Sequence, residues 1–173
     1  NFTDVKPSPQ QVEWQDLEFG VIIHFGPNTF MDREWGDGTA SPQVFNPTRL
    51  NVDQWMRAIK AAGAEYIVLV AKHHDGFCMF DTHQTDYKIT SSKTPFSKNP
   101  KSNIAKEIFK SFRNQGFMIG AYFSKPDWHS PDYWWPYFPP KDRNVNYDPA
   151  KYPKKWTAFK DCTYAQIQGV MTV

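Results

Sequence analysis

Tyr66-Ile67-Val68-Leu69-Val70-Ala71 runs without a break into Lys72-His73-His74-Asp75-Gly76-Phe77. A continuous apolar run of this length reads as a strand buried on both faces, because a half-exposed strand alternates polar and apolar residues. The polar cluster begins where the run stops, so two imidazoles sit at the strand's C-terminal end. Phe19-Gly20-Val21-Ile22-Ile23-His24-Phe25-Gly26 upstream and Phe117-Met118-Ile119-Gly120-Ala121-Tyr122-Phe123-Ser124 downstream have the same character. Both read as buried strands.

Helices separate the three runs. Val52, Trp55, Met56, Ile59 and Ala62 fall at helical spacing, with Asn51 placed to cap the start and Gly63 to close the end. Ile104, Ile108, Phe109 and Phe112 form the face of a second helix, capped by Ser102 or Asn103 and ended by Gly116. A weaker helical pattern covers Trp156 to Met171, with Pro153 suited to its first turn. The order β-α-β-α-β-α predicts a parallel sheet, either doubly wound or a (β/α)8 TIM-like barrel. No Gly-x-Gly-x-x-Gly and no phosphate loop follows any strand, so a dinucleotide fold has no support. Each loop after a strand is long and chemically rich, whereas each turn after a helix is short and built on glycine. That asymmetry is what a barrel with its site on the C-terminal face requires.

Composition narrows the function. The 173 residues carry 20 Lys+Arg against 18 Asp+Glu, too even a balance for a nucleic-acid binder. No apolar run approaches the roughly 18 residues that span a bilayer. Two cysteines, Cys78 and Cys162, cannot build a disulfide scaffold. Aromatic residues reach 17%. Fourteen prolines amount to about 8%, above the usual ~5%. Such a chain has a large core with ordered loops, or a sugar site in which rings cover apolar sugar faces. Asn1-Phe2-Thr3 is a formal glycosylation sequon.

If the sheet is parallel, His24, His73-His74 and the Tyr122 to His129 segment share one face. Imidazoles there can bind metal, move protons or bind hydroxyls. No His-x-His or His-Glu-x-x-His spacing is present, and neighbouring histidines converge only where a strand is ending, so no metal is expected. Hydroxyl binding fits better. Glu34-Trp35 in the first loop and Trp128-His129 in the third supply a carboxylate, an imidazole and indoles suited to a sugar.

Phe19 to Gly26, then Glu34-Trp35, then Ala71 to Phe77, then Gly120 to Ser124 resemble the α-L-fucosidases of glycoside hydrolase family 29. The Lys72 to Phe77 block is the most specific. The resemblance runs from about Trp14 to the end of the chain and is similar to bacterial members with a long Lys125-Pro126-Asp127-Trp128-His129 loop. It implies a retaining exo-α-L-fucosidase that acts on fucosylated oligosaccharides or glycoconjugates. It also implies a (β/α)8-like barrel followed by a C-terminal β-sandwich, and no metal or organic cofactor. It places His24, Glu34, Trp35, His73 and His74 in the fucose pocket, with Tyr122 on the same wall. Fucosylated glycans lie outside the cytoplasm, so a periplasmic or secreted protein is expected.

Retention needs two carboxyl groups. The resemblance puts the nucleophilic Asp at the end of a fourth strand, which should begin after Val173, with the acid/base further on. Asp75 follows the second strand and reads as a loop-fixing group that accepts backbone N–H bonds. Asp127 follows the third. Residues 1–173 are therefore expected to be the N-terminal portion of a catalytic domain with about the first three βα units. A full barrel needs about 250 residues. Two other readings stand beside this one: a carbohydrate-binding protein without turnover, and a metal-dependent hydrolase built on the histidines.

Overall fold

The computed structural model describes residues 4–133, 145 and 147–173. The Asn1-Phe2-Thr3 sequon and positions 134–144 and 146 of the aromatic loop lie outside the described residues. Three strands form one sheet: β1 (Gly20–Ile23), β2 (Tyr66–Lys72) and β3 (Met118–Phe123), in the order β1-β2-β3. Both pairings are parallel, with Ile22 opposite Val68 and Val68 opposite Gly120. A short first helix, α1 (Pro9–Asp16), precedes β1; α2 (Val52–Ala61), α3 (Ile104–Arg113) and α4 (Pro153–Met171) follow the three strands in turn. The arrangement is consistent with an arc of a (β/α)8 barrel.

Local chemistry accounts for the elements. Asn51 accepts from the Gln54 amide and Asn103 from the Lys106 amide, so both long sheet-packing helices begin on a side-chain cap. Gly63 and Gly116 end the same helices at φ +85°, a conformation that costs a glycine little. Helix α1 had no apolar periodicity to announce it. It starts on a capping box between Ser8 and Gln11, and it buries none of its residues.

The core lies on the helix-covered face. Ile67, Leu69 and Ala71 of β2 meet Ile104, Ile108 and Phe112 of α3, together with Phe45, Phe77 and Phe80 from the loops. Burying side chains of this size is worth about 1.5–3 kcal/mol each, so this face supplies most of the stability.

The other face of the sheet is open among the described residues, as expected of three strands taken from a barrel. Ile22 of β1 is 70% exposed, and Met118 and Tyr122 of β3 are 42% and 40% exposed. Ile22, Val68, Gly120 and Tyr122 lie on the side of the sheet that a barrel would turn inward. Among the described residues nothing closes that side except near its lower end. There the Tyr66 ring covers Gly20, and Trp14 of α1 stands 6.0 Å from Tyr66.

Candidate active site

The C-terminal ends of the strands carry the polar groups. β2 ends at Lys72, and the next two residues no longer alternate: the His73 and His74 ring centroids are 4.5 Å apart. His24, just past β1, brings its ring to 4.6 Å from His73. Tyr122 of β3 approaches His73 at 6.1 Å, and its hydroxyl accepts from Ser124 Oγ at 3.2 Å. Three strands thus deliver three imidazoles and a phenol to one place.

Two loops complete the cup. Trp35 stacks on His74 with centroids 5.2 Å apart and planes 17° from parallel, and it stands 5.5 Å from His73. Trp128 lies 5.1 Å from His74 and 6.1 Å from Trp35. The backbone fixes that approach, because the Trp128 amide donates to the His74 carbonyl at 2.8 Å. Gly38 makes room for it at φ +81°: a Cβ there would fall on the Trp128 carbonyl.

The structure thus brings together His24, Trp35, His73, His74, Tyr122 and Trp128. Glu34 is exposed on the first loop, next to Trp35, and makes no hydrogen bond or ion pair among the described residues. His129 turns elsewhere. Its ring stacks on Tyr87 at 3.9 Å, and its Nδ1 is 2.7 Å from the Gly38 carbonyl.

Burial shapes the electrostatics. It pulls His73 down to about 4, with the charges of His74 and His24 adding to the effect. It also lowers His24. His73 is therefore a neutral imidazole at ordinary pH, with one N–H donor and one acceptor, and its buried Nδ1 has no partner among the described residues. The neutral His73 imidazole beside indole faces suits a polyhydroxylated ligand with an apolar side. No group of three or more His, Cys, Asp or Glu among the described residues is arranged to hold a metal ion.

The two buried carboxylates nearby are both committed to structure. Asp75 accepts from the Phe77 amide at 3.0 Å, as its place in the loop implied, and burial raises it to about 6. Asp127 pairs with Lys72 at 2.9 Å and accepts from the amides of His129 and Ser130. Reading the sequence did not find that pair. Nor did it find Asn28, which is buried behind His24 and His73 with its side-chain oxygen unpartnered among the described residues. No periodicity or motif marks partners 55 positions apart.

Comparison with known proteins identifies the family. The family model for alpha-L-fucosidase matches residues 39–173, more than half of the chain. Alpha-L-fucosidase 1 of Arabidopsis thaliana is 42% identical over 127 residues, which are 73% of this chain and 24% of that protein. The chain thus spans about a quarter of the length of this curated relative. A glycoside hydrolase 29 family member from an unknown rumen bacterium superposes with a TM-score of 0.69 at 33% identity, covering 90% of this chain and 25% of the other. An alpha-L-fucosidase GH29 from Bacteroides thetaiotaomicron shares the fold, with a TM-score of 0.76 at 22% identity over 96% of this chain and 39% of its own. A parallel α/β arc, a histidine and tryptophan cup at its C-terminal edge and these matches lead to one conclusion: the chain belongs to the α-L-fucosidase family, glycoside hydrolase family 29.

Proposed function

We propose that the protein to which these residues belong removes terminal α-L-fucose from glycans or glycoconjugates with retention of configuration. In this reading residues 1–173 form the sugar-binding wall. The observation that carries it is the convergence of His24, His73 and His74 at the ends of β1 and β2, within 4.6 Å of one another in sequence of contact and backed by Trp35. His24, His73, His74 and Glu34 serve the hydroxyls; Trp35 and Tyr122 shape the pocket around the ring and its methyl group.

A retaining glycosidase needs two carboxyl groups about 5–5.5 Å apart, one to attack the anomeric carbon and one to protonate the leaving oxygen. Asp75 and Asp127 are both occupied by structural bonds; following the family resemblance, we assign nucleophile and acid/base to positions beyond the third βα unit. A fucosylated substrate also favours a periplasmic or secreted location.

The test uses the full-length protein and an aryl α-L-fucoside, with the anomeric proton of the first-formed sugar followed by NMR. α-L-Fucose as the initial product supports the reading, and β-L-fucose would replace retention by inversion. Fucose binding without any aryl release would favour the alternative of a sugar-binding protein.

A further inference from the structure

We propose that Lys72, acting through Asp127, is a positioning residue that sets the wall of the cup formed by His74 and Trp128. The proposal rests on the fucosidase reading for its catalytic consequence, but not for its structural one.

Lys72 is wholly buried at the end of β2. The β2–β3 register slips by one residue between Val70 and Lys72, so Lys72 pairs with Phe123. A slip of this kind re-aims a side chain. Here the Lys72 ammonium stands 4.5 Å from the centre of the Phe123 ring and meets α4 at Gln166 Oε1, 3.1 Å away. Its third contact is Asp127 Oδ2 at 2.9 Å.

Asp127 carries the constraint onward. Its other oxygen accepts from the His129 and Ser130 amides at 3.1 and 3.0 Å, which ties down the turn containing Trp128. The Trp128 amide in turn bonds the His74 carbonyl, and the Ser124 amide bonds the Lys72 carbonyl at 2.9 Å. One buried cation therefore joins the end of β2, the loop after β3 and α4 directly behind the cup. A buried ion pair is a weak source of stability, because desolvation offsets the attraction. It is a strong directional restraint, because each charge is costly to leave unpaired.

The test compares wild-type full-length protein with Lys72→Met, Asp127→Asn and the double variant K72M/D127N, which leaves no unpaired buried charge. The double variant is expected to recover most of the thermal stability that either single change loses. In it the Trp128 indole N–H resonance, assigned in protein with 15N-labelled tryptophan, should still be displaced from its wild-type position. KM for an aryl α-L-fucoside should stay raised about tenfold with kcat within about threefold, because a displaced binding wall weakens ground and transition state alike. A Trp128 resonance at its wild-type position in the double variant would overturn the positioning role. So would a KM that returns to normal along with the melting temperature. A wild-type protein that releases no aryl group would overturn the fucosidase reading alone and leave the indole resonance to decide the positioning.

Discussion

The rings of Trp35 and His74 lie 5.2 Å apart and within 17° of parallel, although 39 positions of chain separate them. This stack joins the loop after β1 to the end of β2, so His74 has two possible duties: packing against indole and bonding a sugar hydroxyl. Two substitutions in the full-length protein separate them. His74→Ala should cost about 1–3 kcal/mol of fucose binding, as for a buried polar partner left unpaired. His74→Phe keeps a ring for Trp35 but offers no donor or acceptor. Equal losses in fucose affinity, measured by calorimetry, assign the effect to the hydrogen bond. Recovery in the Phe variant would mean that His74 serves only packing.

Gly76 is the narrowest point of the His-His-Asp-Gly-Phe turn. Its φ is +86°, and a Cβ there would fall on Asp127 Oδ1 and lie 2.8 Å from His129 Cβ. Left-handed backbone alone costs a non-glycine residue about 1–3 kcal/mol, and the overlap adds to it. Gly76→Ala should therefore lower the melting temperature of the full-length protein and raise KM, since the overlap presses on the Lys72–Asp127 pair. A variant that melts and binds like wild type would show that the turn yields without disturbing Asp127.

The parts of this architecture that were legible in the sequence are those written in local pattern. β2 and its His73-His74 terminus follow from one apolar run and its abrupt end. α2 and α3 follow from apolar spacing bounded by Asn51, Asn103, Gly63 and Gly116. What was not legible depends on distant neighbours. His129 sits in a segment rich in site chemistry, but Tyr87 and Gly38 claim its ring. The Lys72–Asp127–Gln166 network spans 94 positions, and no residue of it departs from an ordinary local pattern.

The exposed face of the sheet gives a prediction about folding. Ile22, Met118 and Tyr122 leave much of their surface in water, and among the described residues β1 and β3 each pair along one edge only. Apolar exposure of this kind forfeits stabilisation of about 25 cal/mol per Å² and offers edges for association. Residues 1–173 expressed alone should bind a hydrophobic dye and unfold without a sharp thermal transition. A cooperative transition with native-like near-UV dichroism would contradict the assignment of that face to a barrel interior.

Acid should act on His73 and Asp75 in opposite senses. Burial lowers His73 from 6.5 to about 4, so on acidification the unfolded chain takes up this proton first. Its contribution to stability is complete above pH 6.5 and is lost as the pH falls through about 4. Burial raises Asp75 from 3.8 to about 6, so the folded chain holds that proton more tightly. Its contribution is complete below pH 3.8 and is lost as the pH rises through about 6. Between about pH 4 and 6 the two trends offset one another. Asp75→Asn removes the carboxyl titration while its amide oxygen can still accept from Phe77. Urea midpoints of the full-length variant should therefore fall more steeply than those of wild type as the pH drops from 6.5 to 4. Parallel declines would mean that Asp75 does not hold its proton in this range, and that His73 has no partner opposing it.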